Sequence, residues 1–477
     1  MTTTAPPVAT ESGTLTGIRS HGVDRYLGIP YAQVPLGGRR FRAPQLAPAW
    51  NGQRAAVNSG AAAPQPGSVR STLLQGVVNG QSEDALWLNL WVPAGAHDAM
   101  PILVWIHGGA FTNGSAGAVS IDGAHLAAAT NALVVTVNYR LGALGFALHP
   151  DLNDESVSPG LLDLFCAVEW VRRNGQAFGG DTEKLFVGGE SAGSISAALL
   201  GLSANLRPHL AGLMLFSGFQ QSQSRKKTEA ATEHLATTLG IRVGDLPNIP
   251  AQELVRATSL SAAAGHRFWP TIANSAVLTA HPGGRRPYPV LMSTAAREGS
   301  FFLLEREGPQ PSVSARAAQD MVDRLYPGSI ERSSIENPAA GHPKDSVETA
   351  VRAVQHRIID EPADVMRREF VTNGHPVYTV RQRTGSPLWG GWLGATHTLE
   401  IPLLFGTWTH PLLQRLYDPI TAEPSATELQ ALCARFFHGC MTADDLSIEI
   451  GAPTVSNGHN MILSETAKSD DSGAATP

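Results

Sequence analysis

Apolar residues fill almost every position at 101–106 and 132–137, and again at 185–187 just ahead of a glycine pair. Runs of this kind belong to strands buried on both faces, the habit of a mostly parallel sheet covered by helices. A further run at 86–92 mixes Leu, Trp and Val behind the polar Ser82, Glu83 and Asp84, and reads as another strand. Between them, residues 161–173 have helical spacing, with Leu162, Phe165, Val168 and Trp170 expected on the buried face. Strand and helix alternate to residue 218, which predicts an α/β fold class. The start of the chain differs: residues 12–33, punctuated by Gly13, Gly17, Gly22 and Gly28, predict short strands joined by turns. Residues 51–81 contain no aromatic side chain and form a loop long enough to serve as a lid or rim.

A chain of 477 residues exceeds one small core and fits either a large α/β domain with insertions or two to three modest domains. Hydrophobic residues at 43% and charged residues at 16% describe a folded globular protein. A net charge of -6 is mild for this length and excludes a nucleic-acid or anionic-membrane footprint. Cys166, Cys433 and Cys440 are too few and too scattered for a disulfide framework, and none has metal-site spacing with histidines. No metal is expected. The first residues, Met1-Thr-Thr-Thr-Ala-Pro-Pro7, lack a basic and apolar leader, and no uncharged apolar run reaches about 18 residues. A cytoplasmic protein without a membrane span is expected.

Two stretches carry chemistry. The run at 185–188 ends in Gly189-Glu190-Ser191-Ala192-Gly193 and passes into small, helix-compatible residues. A serine at the apex of a strand–turn–helix needs tiny neighbours two positions away, because strand and helix approach closely there. Its oxygen then stands at the positive end of a helix, where developing negative charge is stabilised. The second stretch, His107-Gly108-Gly109-Ala110-Phe111, follows the apolar run at 101–106. Consecutive tiny residues there expose main-chain N–H groups able to bind an anionic oxygen, although Gly-Gly would serve a plain tight turn equally well. His107 is read as shaping this loop.

Together these motifs resemble the type-B carboxylesterase family, the cholinesterase-like branch of the α/β-hydrolases. Leu27-Gly-Ile-Pro-Tyr-Ala32, Arg40-Phe-Arg-Ala-Pro44 and Ser82-Glu-Asp-Ala-Leu-Trp-Leu-Asn89 are similar to its signatures. So are Val137-Asn-Tyr-Arg-Leu-Gly142, Gly160-Leu-Leu-Asp163 and Phe178-Gly-Gly-Asp181. The resemblance implies an α/β-hydrolase fold over residues 1–466 as one domain, with helical insertions at about 220–270 and 305–370 and a disordered tail at 467–477. It implies a serine esterase acting through an acyl-enzyme on small-molecule esters, with no cofactor, as a monomer or homodimer. The triad it implies is Ser191, Glu298 and His397, with Gly109, Ala110 and Ala192 as oxyanion donors. That chain order matches the fold. Glu305 and Asp360 are the next carboxylates to consider, and His375 precedes Pro376 with nothing else to recommend it.

Phe111, Phe219, Phe301, Phe302 and Trp392 flank these motifs and are candidates for an apolar acyl or aryl pocket, or else for ordinary core packing. Ala85 stands where secreted relatives of the resembled family carry a cysteine, so their disulfide is not expected here. The aromatic-free rim lacks a cation platform, which points to neutral short alkyl or aryl esters rather than choline esters. An aryl carbamate or amide hydrolase would use the same triad, and a catalytically silent binding protein would lack part of it. Activity is expected to rise with pH through a single ionisation between about 5.5 and 7.5, as His397 becomes able to accept a proton.

Overall fold

The near-continuous apolar runs become the middle of one large sheet. The computed structural model describes residues 2–67, 80–95, 99–203, 205–219, 222–272, 287–307 and 346–451. Much of the expected second insertion, the middle of the 51–81 loop and the 467–477 tail lie outside these residues. In chain order the strands are β1 (Thr3–Thr4), β2 (Val8–Thr10), β3 (Gly13–Thr16), β4 (Ile18–Ser20), β5 (Val23–Pro30), β6 (Gln53–Ala55) and β7 (Trp87–Pro93). They continue with β8 (Met100–Ile106), β9 (Leu133–Val137), β10 (Gly180–Glu190), β11 (Leu210–Phe216), β12 (Val290–Ala295), β13 (Val377–Gln382) and β14 (Ser447–Ile450).

Among the described residues, eleven strands form the main sheet in the order β1-β4-β5-β7-β9-β8-β10-β11-β12-β13-β14. Every pairing from β9 through β8 and on to β14 is parallel, while the amino-terminal side is antiparallel. The turn-rich start of the chain also yields a small sheet, β2-β3-β6, so part of the 51–81 loop is a strand paired to β3.

The described α-helices are α1 (Ala124–Thr130), α2 (Gly142–Phe146), α3 (Pro159–Asn174), α4 (Ala192–Gly201), α5 (Arg225–Leu239), α6 (Ala251–Ala263), α7 (Gly299–Glu307), α8 (Ser346–Gln355), α9 (Glu361–Thr372), α10 (Glu400–Phe405) and α11 (Pro419–Phe437). Strand periodicity divides the core between the two faces of the sheet. Ile102, Val104 and Ile106 of β8 pack in one cluster with α3, α4, α5 and α6; Leu103 and Trp105 pack in the other with α1, α10 and α11. That covering on both sides is why the central strands need no polar alternation.

Helix α3 forms where the spacing predicted it, and of the four residues expected on its buried face Val168 and Trp170 are buried. Leu161, Leu164, Val168 and Val171 are buried, whereas Leu162 and Phe165 are only partly covered. The 161-164-168-171 stripe keeps the three- and seven-residue spacing of one helix face, and Leu162 and Phe165 sit beside it. Helix α11 packs Phe436 and Phe437 on Phe186 of β10, with ring centroids 5.4 and 5.1 Å away.

Candidate active site

Parallel strands β10, β11 and β12 end at one edge of the sheet, and the site is built from the residues just beyond them. Ser191 follows β10 directly, with φ 55 and ψ -120, and begins α4. An L-residue held there stores about 1–3 kcal/mol of strain, which the surroundings must enforce. They do so by contact. A Cβ at Gly189 would overlap the backbone of Gly193, one at Gly193 would overlap Ile106 O, and one at Gly218 would overlap Ser191 O. The Ser191 N–H donates to Phe216 O at 2.8 Å, tying the turn to β11. Ala192 opens α4, so its N–H has no partner within the helix.

Glu298 lies three residues beyond β12 and is fully buried. Its Oε1 accepts from Ala295 N at 2.6 Å and from Ser217 Oγ at 2.8 Å. Its Oε2 lies 2.7 Å from His397 Nδ1, so that nitrogen carries a proton and the ring orientation is fixed. His397 comes from the segment between β13 and α10, and the rings of Phe301 and Phe302 flank it at 4.9 and 5.2 Å. The other nitrogen, Nε2, lies 3.1 Å from Glu190 Oε1. Among the described residues no hydrogen bond joins His397 to Ser191 Oγ. Both ring nitrogens therefore face carboxylate oxygens.

A third carboxylate completes the cluster. Glu400, in the first turn of α10, is fully buried, and its Oε1 lies 3.1 Å from Ser217 Oγ. Burial, and then the nearby Glu298 and Glu190 charges, push its carboxyl up to about 8 despite the opposing influence of His397. Glu400 is thus protonated at neutral pH, which leaves one less negative charge around the imidazole.

The loop after β8 turns sharply beside the serine. Gly109 has φ 113, and Ala110 and Phe111 follow in the left-handed region at φ 53 and 60. A Cβ at Gly108 would overlap Glu190 Oε2, and one at Gly109 would overlap Asn113 O, so both positions require glycine. Ala110 is exposed at this edge. His107 lies behind the loop, stacked on Tyr139 at 4.6 Å, with its Nδ1 2.9 Å from Gly108 O. Burial pushes its pKa down to about 4, against the Gly108 hydrogen bond, so the ring is neutral and acts as a spacer.

The five aromatic candidates divide. Phe301 and Phe302 lie against His397, and Phe219 is buried next to the Gly218–Ser191 contact. Phe111 is fully buried, edge-on to Phe146 and Trp269 at 5.1 and 4.7 Å. Trp392 stacks under the Arg297 guanidinium at 5.9 Å and packs on the Leu303–Val351 cluster. Two other titratable candidates have structural partners: His375 contacts Tyr288 O and Arg207 Nη2, and Asp360 pairs with Arg381 at 3.2 Å. No cluster of three or more His, Cys, Asp or Glu suited to a metal occurs among the described residues.

Residues 4–426 match the carboxylesterase family. The chain belongs to it. A para-nitrobenzyl esterase of Bacillus subtilis is 32% identical over 416 residues, spanning 84% of this chain and 82% of its own length. A fumonisin B1 esterase of Sphingopyxis macrogoltabida is 30% identical, over 83% of this chain and 74% of that protein. Among solved structures, a Geobacillus stearothermophilus carboxylesterase superposes with a TM-score of 0.79 at 30% identity, covering 94% of each chain. The protein is therefore a carboxylic ester hydrolase with the α/β-hydrolase fold.

Three residues of this carboxylesterase's site escaped the sequence reading. Glu190 was within reach, as the variable position inside the serine pentapeptide and next to the nucleophile candidate. Ser217 and Glu400 had no local signal. They meet only because β11 ends and α10 begins at the same edge.

Proposed function

We propose that this carboxylesterase hydrolyses neutral alkyl and aryl carboxylic esters through an acyl intermediate on Ser191. Ser191 Oγ attacks the ester carbonyl while His397 Nε2 takes its proton, and Glu298 holds the ring and stabilises the imidazolium. The N–H groups of Gly109, Ala110 and Ala192 receive the oxyanion, each worth about 3 kcal/mol of barrier. The imidazolium then protonates the leaving alcohol, and the C–O bond to it breaks. Water, deprotonated by His397, attacks the acyl carbon and returns the free acid and Ser191. Before substrate arrives, Glu190 competes with Ser191 for Nε2, and the serine–histidine bond tightens as substrate is bound.

The observation that carries this reading is the buried Glu298–His397 bond of 2.7 Å beside a serine held at φ 55 on the strand–helix turn. The para-nitrobenzyl and fumonisin esterase relatives support ester hydrolysis as the reaction. We also propose a single domain, with α5 and α6 as an insertion over the sheet, and a cytoplasmic location supported by the free thiols of Cys166, Cys433 and Cys440. Replacing Ser191 with Ala tests the core of the reading. The expected variant is folded and loses about 10⁴-fold or more in kcat. A folded variant keeping a tenth of the turnover would overturn it.

A further inference from the structure

The carboxamide of Gln65 pairs with the peptide group of Gly114 as a neighbouring strand would. Nε2 donates to Gly114 O at 2.9 Å, and Gly114 N–H donates to Oε1 at 3.0 Å. Nε2 also donates to Ala63 O at 3.0 Å, and the Gln65 backbone N–H donates to Gln81 Oε1 at 3.1 Å. Gln65 is only 6% exposed, so these bonds are shielded from competing water.

Gly114 closes the loop that follows β8. It has φ 112, and its Cα lies so close to His107 Nδ1 and Gly108 O that no Cβ could stand there. Within the loop, Gly109 O accepts the N–H groups of Thr112 and Asn113 at 3.0 and 2.9 Å. One end of the loop is therefore fixed by β8, and the other by a side chain forty-nine residues earlier in the chain. That side chain belongs to the 51–81 rim, in which Ala62 and Gln81 form a bridge.

We propose that Gln65 is a positioning residue for the oxyanion-binding loop. Through Gly114 it sets the direction of the Gly109 and Ala110 N–H groups, and it couples the rim segment to transition-state stabilisation. The inference rests on the assignment of Gly109 and Ala110 as oxyanion donors. Oxyanion stabilisation depends on donors aimed where the charge develops, and a misplacement of about 1 Å costs as much as 10²-fold in rate.

The test uses the full-length enzyme with Gln65→Met, which keeps the length of the side chain but none of its hydrogen bonds, and Gln65→Glu, which keeps an acceptor for Gly114 N–H but no amide donor. Active sites are counted by stoichiometric reaction with an organophosphate, and turnover is expressed per site. The expected result is a kcat lower by about tenfold to a hundredfold, with KM changed by less than about threefold. The affinity for an aryl trifluoromethyl ketone, whose adduct carries the oxyanion, should fall by the same factor as kcat, and amide exchange at Gly114 should accelerate. A residue that only holds the fold together would lower the melting temperature and the number of titratable sites but leave both per-site quantities unchanged. That outcome would overturn the proposal, as would two variants that fail to fold. Ser191→Ala is measured alongside. If it stays active, the site reading itself fails and the proposal with it; if it is dead while both Gln65 variants keep per-site kcat, only the role of Gln65 is lost.

Discussion

At the scale of single residues, the site is a problem of charge. Glu190, Glu298 and Glu400 crowd one imidazole, and burial resolves part of the repulsion by keeping Glu400 protonated up to about pH 8. An unfolded chain would ionise the same carboxyl near ~4.3. Between those values the native state binds one more proton than the unfolded state, so this group lowers stability progressively as pH rises through the window. Glu400→Gln, neutral at every pH and nearly the same shape, should remove that slope. Its melting temperature relative to the parent is expected to climb from pH 5 to pH 8 and then level off. A constant difference from pH 5 to pH 9 would show that Glu400 is not the proton holder. None of this was legible beforehand. Glu400 in the sequence is one glutamate in an apolar stretch, and only the meeting of β10, β12 and α10 gives it two carboxylate neighbours.

At the scale of elements, the strand–turn–helix around Ser191 was legible because its requirement is steric and local. The glycines two positions either side of the serine occupy points where a Cβ would strike backbone rather than a movable side chain. Gly193→Ala should therefore cost about 2–4 kcal/mol of stability and reduce kcat by pushing α4 away from β8. Denaturant unfolding and per-site turnover measure both, and a fully stable, fully active alanine variant would contradict the packing described. The loop after β8 was half legible. Its glycines were visible, but the left-handed backbone at Ala110 and Phe111 depends on neighbours far along the chain. In helix α3 the length and the burial of Val168 and Trp170 followed from periodicity, but the first half of the stripe was off by one position, because Leu162 and Phe165 are as apolar as Leu161 and Leu164, which pack.

For the whole molecule, the middle of the sheet was legible, since strands covered on both faces have little choice of composition. Of the small β2-β3-β6 sheet only β3 falls in the stretch expected to hold short strands; β2 and β6 were not legible, because three-residue edge strands leave too short a pattern to separate from turns. The same overall view bears on substrate charge. A net charge of -6 draws cations toward the molecule, but the aromatic-free rim offers no face on which a quaternary ammonium could rest. The expected outcome is a kcat/KM for phenyl acetate at least about tenfold above that for acetylcholine, the lost contact being worth up to ~2 kcal/mol. A preference for acetylcholine, measured at the same ionic strength, would require a cation site elsewhere. The strand order has one more consequence. From β10 outward, β11, β12, β13 and β14 lie side by side in the order in which they are synthesised. A chain emerging from the ribosome can thus seat its serine turn against β8 and β11 and then add each later strand to a waiting edge, without opening what is already paired. On the proposed reading the base, His397, is synthesised about two hundred residues after Ser191, so at 5–20 residues per second the nascent chain would hold its serine without a base for on the order of ten seconds or more. That reading has hydrolysis switch on only once the sheet has grown nearly to its far side.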